Sequence, residues 1–136
     1  MINMKKVLLF FLLLVNFTVL SQTSKGLKKR FLGTYAGFIS SYELKTPTPI
    51  FVDSVGIKIT IEKEQISFSI GPNQYNGSYK LLLETKKYIV LECTIENQMA
   101  TERIMVYKRG KHLSRDGLFP QPNAELFKIK QTKNHQ

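Results

Sequence analysis

The stretch that decides the fold reads VGIKITIEKEQISFSI, residues 55–70. Apolar side chains occupy every second position on both sides of a short charged segment, residues 62–64. Successive side chains of a strand point to opposite faces, so this alternation is typical of two half-buried strands. Because only a few polar residues separate them, the two strands are expected to form a hairpin. The stretch therefore predicts antiparallel β structure with one apolar face.

The same alternation continues along the chain in both directions. We predict strands over residues 31–40, 55–62, 66–70, 75–83, 88–95, 101–109, 112–116 and 124–130. One turn is placed at Pro72-Asn73, within the break at residues 71–74, because proline cannot donate to a strand ladder. Asn76-Gly77 is the alternative turn, but Gly77 is equally expected to be a bulge or a close-approach position. A long meander tends to close so that no edge strand is left. We therefore expect an all-β antiparallel meander of about eight strands, a closed or nearly closed barrel, with a β-sandwich as the alternative.

One connection is much longer than the others. It runs from Ser41 to Val52 and contains Pro47 and Pro49, followed by the apolar pair Ile50 and Phe51. Prolines at alternate positions favour an extended conformation. Long connections in compact domains are often functional. We interpret this segment as a candidate lid over one mouth of the barrel, a role that the sequence leaves open.

The N-terminus has the three parts of a secretory signal peptide. Residues 1–6 carry two lysines, an apolar run follows, and a small residue, Ser21, precedes Gln22. The apolar stretch, residues 7–20, is shorter than the roughly 20 residues that cross a bilayer. We expect cleavage between Ser21 and Gln22 and export to the periplasm or the extracellular space, with no stable transmembrane segment after processing. An uncleaved anchor is the alternative.

The predicted organisation has four parts. They are a signal peptide (1–21), a basic flexible lead-in (22–30), a single β domain (31–130) and a disordered tail (131–136). Cys93 is the only cysteine and has no partner for an intramolecular disulfide. We interpret it as a buried small hydrophobic side chain, with a reactive thiol as the alternative.

The chain is strongly basic. It has 20 Lys and Arg against 10 Asp and Glu, a net charge of +10, which becomes +8 when Lys5 and Lys6 leave with the signal peptide. An excess of positive charge favours anionic partners. The densest cluster lies at residues 25–30, and we interpret the remaining basic residues as scattered over strand faces. Without an aromatic-interleaved recognition motif, no nucleic-acid partner is predicted.

No catalytic or metal-binding pattern is found in the sequence. His112, Ser114 and Asp116 share one strand face, but neighbours there stand about 6.5–7 Å apart, beyond the reach of a working triad. The other histidine, His135, lies in the predicted tail. We predict no catalytic residue, no metal site and no cofactor, and a protein that is not an enzyme.

Glycoside hydrolysis uses a pair of carboxylates, and the sequence offers two such pairs. Glu62 and Glu64 flank a predicted turn, and Glu92 and Glu102 lie on neighbouring predicted strands. Functional pairs are placed in a cleft that drives their pKa values apart. We interpret both pairs as outward-facing surface acids.

The opening of the first strand, FLGTY at residues 31–35, resembles the Gly-x-Trp motif that begins lipocalin-type (calycin-like) barrels. The long connection after this strand and the hairpin meander are also similar to that family. Tyr35 stands where the family has Trp, and the family's C-terminal helix has no counterpart. The resemblance implies that Tyr35 plugs one end of the barrel, that Arg115 corresponds to a late arginine packing on it, and that a small ligand binds inside.

Two functional hypotheses follow from these observations. The first is a secreted lipocalin-like binding protein that holds a small apolar or amphipathic ligand inside the barrel, with the candidate ligand-binding residues Tyr35, Ile50, Phe51, Tyr79 and Tyr107. The second is a secreted interaction module with a packed interior, which docks through its basic surface on an anionic envelope component, a glycan or a partner protein. Interior volume separates the two, because ligand pockets typically occupy about 300–1,000 Å³.

Overall fold

The computed structural model describes residues 4–6, 26–117 and 119–130. The predicted cleavage site at Ser21 and Gln22 and the predicted tail, 131–136, lie outside the described residues. Within them, a single 3-10 turn, Lys29–Phe31, precedes the first strand. No helix in this part of the chain is long and apolar enough to cross a membrane.

Ten strands follow the 3-10 turn. They are β1 (Gly33–Ile39), β2 (Tyr42–Leu44), β3 (Ile50–Val52), β4 (Val55–Ile61), β5 (Ile66–Ile70), β6 (Asn73–Glu84), β7 (Tyr88–Ile95), β8 (Glu102–Tyr107), β9 (His112–Arg115) and β10 (Ala124–Lys128). The eight predicted strands are all present. The turn after β5 lies at Gly71-Pro72, with Gly71 at a φ of +55°, and Asn76-Gly77 lies inside β6.

Eight of the strands form a closed antiparallel barrel in the order β1-β10-β9-β8-β7-β6-β5-β4. β4 pairs back to β1 along its full length, from Gly33 opposite Ile61 to Ile39 opposite Val55. Because this pairing closes the sheet, no edge strand is left in the barrel. The predicted all-β barrel is therefore confirmed, the sandwich alternative is wrong, and the architecture is the one that the resemblance implies.

Alternation along each strand sends one set of apolar side chains into the barrel. Ile57, Ile59 and Ile61 of β4 point inward, whereas Lys58 and Thr60 point outward. Each side chain of this core exposes 4% or less of its surface. The core consists of Phe31, Tyr35, Ile39, Ile57, Ile59, Ile61, Ile66, Phe68, Ile89, Leu91, Cys93, Ile95, Ile104, Val106, Leu113, Ala124 and Leu126. Its burial supplies the main driving force for folding.

The antiparallel order places successive turns at alternate ends of the barrel. The lead-in end, as we name it, holds the 3-10 turn, the β4–β5, β6–β7 and β8–β9 turns and the end of β10. The opposite, hairpin end holds β2 and β3, the β5–β6 turn and the β7–β8 and β9–β10 connections.

Tyr35 helps to close the lead-in end. Its hydroxyl donates a hydrogen bond to the carbonyl oxygen of Phe31 (2.9 Å), which ties β1 to the 3-10 turn. The cation over its ring is Lys128, whose Nζ lies 5.9 Å from the ring centroid and donates to the carbonyl oxygen of Arg30 (2.9 Å). The implied pairing of Arg115 with this ring is therefore wrong, because β9 ends at the opposite end of the barrel.

The segment from Ser41 to Val52 differs from its prediction as a long loop. β2 and β3 pair with one another as a separate two-stranded sheet, with Tyr42 opposite Val52 and Leu44 opposite Ile50. Ile50 is 51% exposed and Phe51 is 76% exposed. Side chains that closed a barrel mouth would be buried against it, so the segment is a solvent-exposed hairpin instead of a lid.

Candidate functional site

The five residues predicted to line one ligand site are not brought together. Tyr35 is buried at the lead-in end, and Tyr79 on β6 is half-buried against the core. Tyr107 faces outward from β8, while Ile50 and Phe51 lie on the exposed hairpin at the other end. A common pocket for these side chains does not exist in the fold.

The interior of the barrel is filled. A cavity wide enough for a ligand would expose the side chains that line it, yet those of the core expose 4% or less of their surface. Protein interiors of this kind are close-packed and leave few voids larger than a water molecule. Among these core side chains there is therefore no room for the apolar ligand of the first hypothesis; Leu81 of β6, which lies opposite the buried Leu91 and is 45% exposed, is outside this packed region.

At the hairpin end the interior holds a buried ion pair. Nε of Arg115 donates to Glu102 Oε2 (2.9 Å) and its second terminal nitrogen, Nη2, donates to Oε1 (3.0 Å), while Nη1 donates to the side-chain oxygen of Gln121 (2.8 Å). The bidentate geometry satisfies both charges. The prediction that Glu102 faces outward is wrong, because Glu102 shares its strand face with the inward-pointing Ile104 and Val106. Glu92 does face outward and pairs with Lys80 (3.2 Å).

Cys93 also lies in this interior. Burial raises the pKa of its thiol from 9.0 to about 12, with further contributions from the nearby carboxylates of Glu102 and Glu92. The thiolate, which is the nucleophilic form, is strongly disfavoured at neutral pH. Its environment fits the interpretation as a buried small side chain.

His112 is held in an aromatic row on the outer wall. Its ring stacks on Tyr107 (centroids 4.3 Å apart, planes at 17°) and lies 5.8 Å from Phe127, and Tyr88 extends the row beyond Tyr107 (6.3 Å). The four residues face one another across neighbouring strands, where aromatic pairs stabilise a sheet. This contact pattern assigns His112 to packing.

The lead-in end gathers most of the positive charge. Eleven Lys and Arg lie there against three carboxylates, Glu62, Glu64 and Glu84, a net charge of +8. They are Lys28, Lys29, Arg30, Lys63, Lys86, Lys87, Lys108, Arg109, Lys111, Lys128 and Lys130. Among the described residues only Lys108 of this set forms an ion pair, with Glu84 (2.9 Å), a hydrogen bond that lowers the pKa of Glu84. The expectation of basic residues on strand faces is correct for Lys58 and Lys80 but wrong for those at residues 86, 87 and 108–111, which lie in turns.

The reason for this concentration lies in the order of the turns. The turns that carry lysine, at residues 62–65, 85–87 and 108–111, alternate with connections at 71–72, 96–101 and 116–123 that carry none. In a meander, every second turn lies at the same end. The alternation of basic turns was thus readable from the sequence. The hairpin end has the opposite sign, with three cations, Lys45, Arg103 and Arg115, against six carboxylates, Glu43, Asp53, Glu96, Glu102, Asp116 and Glu125.

A cleft of about 770 Å³ opens at the lead-in end, between the β4–β5 turn and the end of β10. Apolar side chains contribute to its wall, and five lysines surround them: Lys29, Lys63, Lys111, Lys128 and Lys130. Glu62 is the only carboxylate among the described residues that line it. The cleft therefore combines an apolar surface with a strongly positive border.

Tyr79 holds one side of this cleft in place. Its hydroxyl donates to the carbonyl oxygens of Glu62 (2.6 Å) and Lys63 (2.9 Å), so β6 fixes the turn that carries Lys63. Burial raises the pKa of Tyr79, in the direction that favours the hydroxyl as a hydrogen-bond donor. Of the predicted site residues, Tyr79 supports the turn of Lys63, and Tyr35 lies beneath Lys128 on the other side of the cleft.

The described residues hold no metal-binding cluster. They contain no group of three or more His, Cys, Asp or Glu side chains that would hold a metal ion. The chain was also compared with protein-family models, with curated proteins and with solved structures, and no match was found in any of the three.

Proposed function

We propose that this protein is an exported, non-enzymatic binding module that docks through the lead-in end on an anionic partner. The observation that carries the proposal is the gathering of eleven cations, ten of them without an ion pair among the described residues, around three carboxylates. A surface of one sign attracts partners of the other sign and speeds their association. The packed interior favours this role over a ligand inside the barrel.

The absence of catalysis is part of the proposal. The candidate base His112 is stacked between Tyr107 and Phe127, and the Cys93 thiol is buried and protonated. Glu102, the carboxylate that the barrel buries, is neutralised by Arg115. These groups have structural partners that account for their positions.

Binding to heparin, a sulfated glycan, tests the proposal. Because exposed charges are screened beyond about 8–10 Å at physiological salt, we expect affinity to fall steeply between about 50 and 500 mM NaCl. The triple variant Lys63→Glu, Lys111→Glu, Lys130→Glu should weaken binding at least about tenfold, since it reverses the field at the lead-in end. Affinity is measured by titration calorimetry.

The matched control is Lys45→Glu, Lys58→Glu, Lys80→Glu. It changes the net charge by the same amount but places the new carboxylates on the hairpin and the barrel wall. Its affinity should stay within about threefold of the original chain's. Equal losses in the two triple variants, or no binding by the original chain, would contradict the proposal.

A further inference from the structure

The cleft at the lead-in end has a second property besides its charge. Leu32 and Ile129 present apolar surface between the five lysines. The Thr34 and Thr60 hydroxyls in the same wall are hydrogen-bonded to one another (3.0 Å), so they do not need a polar ligand group as a partner. Ile129 remains 42% exposed in this setting.

A ligand with only one kind of chemistry would leave part of the cleft unsatisfied. A purely anionic glycan neutralises the lysines but keeps water on the apolar wall. A purely apolar molecule covers the wall but leaves the surrounding lysines without counter-charge. A molecule with an anionic head and an alkyl chain satisfies both, and the volume of about 770 Å³ lies within the usual range of ligand sites.

The fold fixes the backbone of one border lysine and the ammonium group of another. Lys63 lies on the turn that Tyr79 holds, and Lys128 is held by its hydrogen bond to Arg30. Fixing groups before binding reduces the entropy that binding must overcome. The cleft is thus partly pre-organised for a charged head group.

We propose that this cleft binds one anionic amphiphile, a molecule with a phosphate or carboxylate head and a single alkyl chain. The inference rests on the proposed docking of anions at the lead-in end and names the ligand class. The head group lies among Lys63, Lys128 and Lys130, and the chain lies on Leu32 and Ile129. The site is on the outer surface of the barrel end, separate from the barrel interior.

Titration calorimetry with four probes tests the ligand class. The probes are dodecyl phosphate, butyl phosphate, inorganic phosphate and dodecyl maltoside. Each is kept below its critical micelle concentration and is added to the full protein purified from the cells that naturally produce it. Each buried methylene is worth about fourfold in affinity. We expect dodecyl phosphate to bind one to one, at least about tenfold more tightly than the other three.

Equal binding of dodecyl phosphate and inorganic phosphate would overturn the inference but leave docking on anions intact. If the same preparation of the original protein does not bind heparin, the proposed function is overturned instead. Dodecyl maltoside binding as tightly as dodecyl phosphate would also overturn the inference, because the lysines would then play no part.

A pair of variants on one segment separates the cleft from general apolar surface. Ile129→Ser removes an exposed wall residue of the cleft, and Phe127→Ser removes an outer-wall residue that is 58% exposed. We expect Ile129→Ser to weaken dodecyl phosphate binding about tenfold and to leave heparin binding unchanged. Phe127→Ser should change neither, and equal effects of the two variants would overturn the inference.

The amphiphile has two possible sources, a free molecule or a lipid of a membrane. Sedimentation with phosphatidylcholine vesicles that contain lysophosphatidylglycerol, an anionic lipid with a single chain, distinguishes them. If the protein stays in the supernatant with one bound lipid, it takes up the free amphiphile. If the protein pellets with the vesicles, it binds the head group of a lipid that stays in the membrane. Either result supports the inference if Ile129→Ser weakens it, and no association with lipid in either fraction overturns it.

Discussion

The guanidinium of Arg115 lies inside the barrel, where an unpaired charge would cost several kcal/mol. The two oxygens of Glu102 and the side chain of Gln121 occupy three of its nitrogens. Gln121 belongs to the β9–β10 connection, so the pair also attaches that connection to the barrel. The charge of Arg115 thereby holds both β8, through Glu102, and the β9–β10 connection, through Gln121.

Replacement of Glu102 tests this role. Glu102→Gln keeps the shape but removes the counter-charge, so we expect the free energy of unfolding to fall by about 3 kcal/mol in urea denaturation. The double variant Glu102→Met, Arg115→Met should recover most of that loss, because both charges are removed together. The control is Glu84→Gln at the exposed Lys108 pair, with a change below about 1 kcal/mol. Equal losses at the two sites would contradict the expectation.

At the scale of elements, the strands must approach closely enough for the barrel to close. Gly77 on β6 lies between Ile66 of β5 and Ile95 of β7. A Cβ atom there would overlap the carbonyl oxygen of Thr94 and lie 3.0 Å from the Cα of Ile95. Of the predictions for Gly77, a turn, a bulge or a close approach, the close approach inside a strand is therefore the one that the structure confirms.

We expect Gly77→Ala to lower the free energy of unfolding by about 1–3 kcal/mol, since the added methyl forces two backbones apart. The matched control is Gly56→Ala on β4, where the nearest contact of the new atom is the Phe38 side chain at 3.9 Å. That variant should gain up to about 1 kcal/mol, because it restricts the unfolded chain. Urea denaturation measures both, and a loss at Gly56 as large as at Gly77 would contradict this account.

The whole molecule is electrically polar along the barrel axis. A net charge of +8 lies at the lead-in end, whereas acids outnumber cations at the hairpin end. Like charges held close together repel one another and destabilise the folded chain. The positive end is therefore a feature that costs stability, as binding surfaces often do.

Salt should relieve this repulsion. Raising NaCl from about 50 mM to 500 mM shortens the screening length from roughly 14 to 4 Å, so we expect the free energy of unfolding in urea to rise. The triple variant Lys63→Glu, Lys111→Glu, Lys130→Glu should be more stable than the original chain at low salt and show a smaller salt effect. A folded state that loses stability with salt would show that attraction, and not repulsion, dominates this end.

The sequence by itself determined the eight barrel strands and their antiparallel order, because alternation and turn residues act over a few neighbouring positions. It also contained two further patterns, one within a single strand and one that spans several turns. Glu102 has the same alternation as Ile104 and Val106, and the basic turns recur at every second connection. Local patterns of this kind specify which way a side chain points once the strand is formed.

Only the tertiary structure decided the closure of β4 on β1, the packed interior and the cleft. These depend on residues far apart in the chain: Arg115 finds Glu102, Tyr79 holds the turn of Lys63, and Lys128 reaches Arg30. Whether a barrel encloses a cavity depends on how the volumes of all inward side chains add up, which no single segment contains. The cations likewise became one surface only when strand pairing placed their turns at one end.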